Sequence, residues 1–263
     1  SGLGMVGDSE PARAGMMDSL KNSKPNGWRA RIGVIVPPSN TVNEAEFNRL
    51  KPDGVTYHFT RSPIHSNPAA DGFVGLLNDV EIACDDMMRC NVDVIAYGCT
   101  AGSMAAPADV LIGKMKEVAK VDALSTAGSI LKALGTLGVD RIAMATPYTE
   151  ETNEHEVQFL NDHHIEVITH AGLGLNTTLD RIQQMSRVPP PEVFEHAKSV
   201  DRPEAQAILI CCTDFNSLDV IEPLEQTLGK PVLTSNICTF WNSLRTANIQ
   251  DKIEGYGTLL RQF

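Results

Sequence analysis

The chain has 263 residues, 42% of them hydrophobic and 21% charged, with a formal net charge of −11 at pH 7. This length buries a substantial core and suits two compact lobes of about a hundred residues each. The acid excess, with no run of Lys or Arg, argues against a nucleic-acid partner or an anionic membrane, because such surfaces need clustered cations to neutralise phosphate.

Residues 1–28 are rich in Gly, Ser, Asp, Asn and Met and have neither a long apolar core nor a basic lead, so they read as a flexible tail and not as a signal peptide or membrane span. A first lobe is expected over residues 29–138. It opens with an apolar strand at 32–36 that runs into Pro37-Pro38-Ser39-Asn40-Thr41, a rigid turn whose polar side chains can cap a helix starting near Val42. A second strand is expected at 55–60. Phe73, Leu76, Leu77, Val80, Ala83, Cys84 and Met87 then recur every three or four residues, the mark of an amphipathic helix. The apolar run at 93–97 reads as a buried strand ending in Gly98-Cys99-Thr100. A loop over 101–107, a helix over 108–119, a short strand at 121–124 and a helix from Ser125-Thr126 to Leu137-Gly138 complete the lobe.

The second lobe is expected over residues 139–263. Arg31-Ile32 and its strand recur as Arg141-Ile142 about 110 residues further on, with Pro147-Tyr148-Thr149 standing where the first lobe has Pro37-Pro38-Ser39. A helix over 150–161, a strand at 166–169, a glycine-rich loop at 171–176 and a helix through Met185 follow. Pro189-Pro190-Pro191 breaks the chain before a helix over 192–199. The strand at 207–210 ends in Cys211-Cys212-Thr213. A helix over 218–228, a strand at 232–234 and a final long helix over 237–248, placed to pack back on the first lobe, close the chain. Strands alternating with helices imply an α/β fold of two pseudo-symmetric lobes, each a parallel sheet flanked by helices. The active site then belongs in the cleft between them, outside the carboxyl ends of the strands.

Six cysteines, unevenly spaced, do not make the framework of a small secreted domain, so a reducing cytoplasm is expected. There is no Cys-x-x-Cys, and His163-His164 lies far in sequence from any cysteine, so no metal is expected. A cysteine at a strand end is commonly a small buried hydrophobe. Two of them at equivalent points of two repeats, each followed by Thr and a turn into a helix, point instead to two thiols facing one cleft, with helix N-termini lowering their pKa values. Such a pair suits proton transfer on two faces of one carbon. An acidic chain can hold an anionic ligand with backbone N–H groups, hydroxyls and amides. Asn40 is therefore either a helix cap or a ligand group, with Tyr148 near its counterpart position. Gly172-x-Gly174 is too short for a dinucleotide fingerprint, and the seven histidines lie away from the strand ends, which disfavours a His-based triad.

Pro37-Pro38-Ser39-Asn40-Thr41, Tyr97-Gly98-Cys99-Thr100, Thr146-Pro147-Tyr148, Arg187-Val188-Pro189-Pro190, and Cys212-Thr213 through Leu218-Asp219-Val220-Ile221-Glu222-Pro223-Leu224-Glu225 together resemble the Asp/Glu racemase superfamily. Within it they look most like the branch of maleate cis-trans isomerases and arylmalonate decarboxylases, over roughly residues 31–263. The resemblance implies an enzyme without cofactors, in which Cys99 matches the isomerases' nucleophile and Cys212 their second cysteine. Asn40 and Tyr148 match substrate-carboxylate ligands and Asn176 matches a further asparagine more weakly, with Ser39, Thr100 and Thr213 beside them as substrate contacts. The decarboxylases keep only the second cysteine, so Cys99 counts against decarboxylation. The turn at 37–41 has no carboxylate to hold an ammonium group, which favours a substrate without an amine. Asp214 keeps a racemase open, its plainer reading being a cap for the following helix.

The expectation is a two-cysteine isomerase of a small dicarboxylate, working by thiolate addition to an alkene, rotation and elimination. An amino-acid racemase, an arylmalonate-type decarboxylase and a carboxylate-binding protein without chemistry are the alternatives. The expected partners are a small carboxylate and further copies of the chain in a homo-oligomer, with no nucleic acid and no membrane.

Overall fold

The computed structural model describes residues 9–175 and 185–263. Helix α1 (Glu10–Lys21) lies inside the segment expected as a tail and has no buried residue. The first lobe then runs β1 (Ala30–Val36), α2 (Asn43–Leu50), β2 (Val55–Arg61), α3 (Val74–Met88), β3 (Val94–Tyr97), α4 (Thr100–Ala105), α5 (Ala108–Ala119), β4 (Asp122–Ser125) and α6 (Thr126–Leu137). The second lobe runs β5 (Arg141–Ala145), α7 (Glu150–Asp162), β6 (Glu166–Ala171), α8 (Pro190–Ser199), β7 (Ala207–Ile210), α9 (Ile221–Leu228), β8 (Val232–Thr234), α10 (Ser235–Thr246) and α11 (Thr258–Gln262).

The two sheets have the same order, β2-β1-β3-β4 and β6-β5-β7-β8, and every strand pairing in them is parallel. The central strands are the continuous apolar runs: β3 and β7 are buried throughout, whereas the edge strands β2 and β6 are only partly covered. Corresponding registers recur, Ile32 opposite Val94 and Ile142 opposite Ala207. The duplication legible in the sequence is thus a duplication of topology.

Some boundaries differ from the sequence expectation for local reasons. Residues 100–105 are helical and not a loop: Ser103 N bonds to Cys99 O at 3.2 Å, and Ser103 Oγ bonds back to the carbonyls of Cys99 and Thr100 at 2.5 and 3.1 Å. The segment at 218–228 is a 3-10 turn at Leu218–Val220 followed by α9. α8 starts at Pro190, since proline is tolerated in a first helical turn. The expected helix leading to Met185 falls largely on residues 176–184, outside the described residues, and Asn176 with it.

The lobes share a core. Phe240 on α10 packs against Phe47 and Tyr57 of the first lobe with ring centroids 5.5 Å away in both cases, and Tyr57 Oη meets Ser243 Oγ at 2.8 Å. α10 also lies along α6, where Thr239 Oγ1 donates to Thr126 Oγ1 and Asn242 Nδ2 to Ser129 Oγ, both at 3.0 Å. Among the described residues no helix is long and apolar enough to cross a membrane.

Candidate active site

The two sheets present the carboxyl ends of β1, β3, β5 and β7 to one another, and the residues beside the two cysteines are bonded directly. Thr213 Oγ1 donates to Gly98 O at 3.1 Å and accepts from Asn40 Nδ2 at 3.0 Å. Ser235, the first residue of α10, accepts from Thr100 Oγ1 at 2.8 Å and from the Cys212 N–H at 3.1 Å. The residue before Cys99 and the residue after Cys212 therefore share a hydrogen bond across the lobe boundary.

Cys99 is half-buried and caps α4 with an extended backbone. The Gly102 N–H faces its sulfur. A Cβ on Gly102 would stand 3.0 Å from that sulfur and 3.2 Å from Tyr97 Oη, so glycine leaves the thiol its space. Cys212 is buried and has a φ of 106°, a region that favours glycine. Its sulfur accepts from the Asp214 N–H at 3.4 Å, the Met185 thioether lies 3.9 Å away, and the Tyr148 hydroxyl faces it.

Burial pushes the Cys99 thiol up to about 11. Burial and then the Asp214 charge push Cys212 higher still, against the Tyr148 hydroxyl and the Asp214 N–H. The expectation of thiols activated by helix N-termini is thereby corrected. α4 has only six residues, and Cys212 leads into turns and a 3-10 segment before α9 starts at Ile221, so neither sulfur sits at the N-terminus of a long α-helix. Loss of solvent outweighs what a few N–H groups return.

The remaining predicted residues serve the lobe junction. Asn40 Oδ1 accepts the N–H groups of Val42 and Asn43 at 3.1 and 3.0 Å, so it caps α2 while its amide reaches Thr213. The Thr100 and Thr213 hydroxyls are engaged as above, and Ser39 is half-buried in the turn. Tyr148 is buried, its N–H bonded to Thr146 Oγ1 at 3.0 Å. Asp214 does not cap its own downstream helix: its Oδ1 accepts from Thr41 N at 2.9 Å, in the turn that leads into α2 of the other lobe. Burial raises Asp214 to about 6, held down by the Thr41 and Val42 N–H groups and by Arg61.

Four residues behind the site escaped the sequence reading. Arg61 Nη1 gathers the carbonyls of Pro37, Pro38 and Asn40 at 3.1, 3.1 and 2.7 Å and so fixes the turn. Glu46 accepts from Leu218 N at 3.0 Å and Asn236 Nδ2 at 2.9 Å, and Asn236 also reaches Thr213 O at 3.0 Å. Glu156 is buried on α7. The available signal was polar residues set among apolar ones on one helix face, Asn43 and Glu46 beside Phe47 and Leu50, and Asn153 and Glu156 beside Leu160. Among the described residues no group of three or more His, Cys, Asp or Glu could hold a metal ion.

The sequence model of the arylmalonate decarboxylase family matches residues 32–260. The chain is 28% identical over 240 residues to an arylmalonate decarboxylase of Bordetella bronchiseptica, covering 87% of this chain and 95% of that one. It is 26% identical over 245 residues to a maleate isomerase of Nocardia farcinica, covering 88% and 96%. Among solved structures it resembles a cysteine-to-serine variant of the Nocardia farcinica maleate cis-trans isomerase with a covalently bound succinylcysteine intermediate. The TM-score there is 0.80 at 25% identity, covering 89% of this chain and 99% of that one. An unliganded arylmalonate decarboxylase superposes with a TM-score of 0.78 at 26% identity, covering 89% and 100%. Because the match takes in both lobes and the strand ends bearing both cysteines, the chain belongs to the arylmalonate decarboxylase family, as an enzyme of the Asp/Glu racemase superfamily branch that also holds the maleate isomerases.

Proposed function

We propose that this enzyme is a cofactor-independent cis-trans isomerase of a small unsaturated dicarboxylate, with Cys99 as nucleophile and Cys212 as proton donor and acceptor. The observation that carries the reading is the presence of both thiols at one lobe junction, where the residues flanking them are hydrogen-bonded to each other. In the reaction the Cys99 thiolate adds to one alkene carbon while the Cys212 thiol protonates the other, leaving a succinyl thioether whose former double bond rotates. The Cys212 thiolate then removes that proton, the C–S bond breaks, and the isomer leaves with the Cys99 thiolate restored. The Tyr148 hydroxyl, which faces Cys212, steadies that sulfur in its ionised form by donating to it. The second Nδ2 hydrogen of Asn40 and the backbone N–H groups after each cysteine hold the substrate carboxylates.

The maleate isomerase relatives and the succinylcysteine of the Nocardia protein support this chemistry. A decarboxylase has no use for Cys99. An amino-acid racemase needs a carboxylate for the ammonium group, and Asp214 is occupied by Thr41 N at 2.9 Å. The test is intact-mass measurement of the Cys212→Ser variant after exposure to maleate. A succinyl adduct on Cys99, absent from Cys99→Ser, is expected. No adduct, together with solvent deuterium entering the α-carbon of an amino acid, assigns the enzyme to the racemases instead.

A further inference from the structure

Among the described residues the buried carboxyl groups are of two kinds. Glu46 and Asp214 are met by hydrogen-bond donors: Leu218 N and Asn236 Nδ2 on the first, Thr41 N on the second. Glu156 is 1% exposed, and among the described residues neither of its carboxyl oxygens has a hydrogen-bond partner. The Cys211 thiol approaches it without reaching well-formed geometry. A carboxylate is stable in a dry interior only when donors or a cation replace its lost water.

The surroundings of Glu156 are acidic groups of the active site. Cys99 follows β3, Tyr148 follows β5, and Cys211 and Cys212 follow β7; a negative charge on Glu156 is felt by all four and disfavours ionisation of each. α4, which packs on α7, carries no titratable side chain. β6, also packed on α7, brings His170, which pairs at 2.6 Å with Glu150, the first residue of that helix, and Glu166, which is exposed. Among the described residues no cation acts to hold Glu156 ionised.

We propose that Glu156 is a positioning residue of the thiol site that works as a neutral carboxylic acid, and that its ionisation suppresses the Cys99 thiolate. With Glu156 neutral, a thiolate at Cys99 meets the Gly102 N–H and no opposing charge. With Glu156 ionised, two negative charges face one another through the packed interior between α7 and α4, where Coulomb repulsion is less screened than in water. Burial raises Glu156 to about 8, so the change falls just above neutral pH. The inference deepens the two-thiol reading, on which its catalytic consequence rests, but the effect on the thiol itself is measured without substrate.

The experiment is site-resolved alkylation of Cys99 by iodoacetamide, read by peptide mass spectrometry on the full chain, for the wild type, Glu156→Gln and Glu156→Asp. At about pH 6, where both side chains are neutral, wild type and Glu156→Gln should react equally fast. At about pH 10 the Gln variant should react several-fold faster, and Glu156→Asp should follow the wild type. Equal rates at both pH values, or a slower Gln variant at high pH, overturn the proposal. Should Glu156→Gln fail to fold, the wild type alone decides. Because the Cys99 thiol itself is pushed up to about 11, its rate should rise by less than roughly tenfold per pH unit as pH passes about 8 and regain the tenfold slope above it; an unbroken tenfold rise, or a levelling that does not recover, overturns the proposal. Because no substrate takes part, this result and the maleate adduct succeed or fail separately.

Discussion

Cys212 holds a backbone conformation that costs an ordinary side chain energy, with φ at 106°. It is kept there by the Cys212 N–H bond to Ser235 and by Asn236 on the next carbonyl. Strain of this kind persists where the surroundings over-determine it, and it places the sulfur beneath Tyr148. Cys212→Gly should therefore be more stable to urea than Cys212→Ala by about 1 kcal/mol, while both lose turnover. Gly102 works by what it lacks. Gly102→Ala adds a methyl 3.0 Å from the Cys99 sulfur in a helix, where alanine is otherwise favoured by about 1 kcal/mol. Its expected signature is an unchanged or higher melting temperature with markedly slower alkylation of Cys99.

Among the elements, α10 does most to join the lobes. Its N-cap Thr234 accepts from Ile237 N at 2.9 Å, and its first residue, Ser235, serves Thr100 and Cys212 together. Ser235→Ala leaves a buried N–H and a buried hydroxyl without their acceptor, which should cost about 1–3 kcal/mol in denaturant unfolding and lower turnover through Cys212. The junction of β5 with β6 is similarly tight. A Cβ on Gly172 would stand 2.0 Å from Tyr148 O, so Gly172→Ala must move the backbone that carries Tyr148. A loss of about 1–3 kcal/mol, the cost of overpacking, is expected together with loss of activity.

At the scale of the molecule, buried carboxyls set how stability depends on pH. Glu156 and Glu46 are raised by burial from 4.5 to about 8 and about 7, and Asp214 from 3.8 to about 6. A raised folded-state pKa means the native protein binds more protons than the unfolded chain. The contribution is complete below the unfolded values and is lost as pH climbs through about 6, about 7 and about 8. Asp219 and Asp251, whose pKa values Arg49 and Arg29 lower, act only in the acid range below 3.8. The unfolding free energy from denaturant titration should thus fall between about pH 5 and about pH 9, by on the order of 10 kcal/mol for the three shifts together. Glu156→Gln should flatten the upper part of that fall, and a decline as steep as the wild type's would assign it to other groups.

The sequence by itself determined the two repeats, the buried strands and the residues at their carboxyl ends. These are local facts: a continuous apolar run specifies a strand covered on both faces, and Pro or Gly marks where it stops. Cys99, Cys212, Asn40 and Tyr148 were legible because each stands within a few residues of such a stop. Tertiary structure alone decided what those residues touch. Asp214 looked like a cap for its own downstream helix and instead holds the turn ahead of α2 in the other lobe through Thr41 N, a pairing no spacing along the chain encodes. Ser235 and Glu156 were invisible for the same reason, since a serine opening a helix or a glutamate within one is ordinary until a second lobe closes over it. The direction of the thiol shifts was decided there too. Burial is a property of the packed molecule, and it outweighs the N–H groups that the sequence places beside each sulfur.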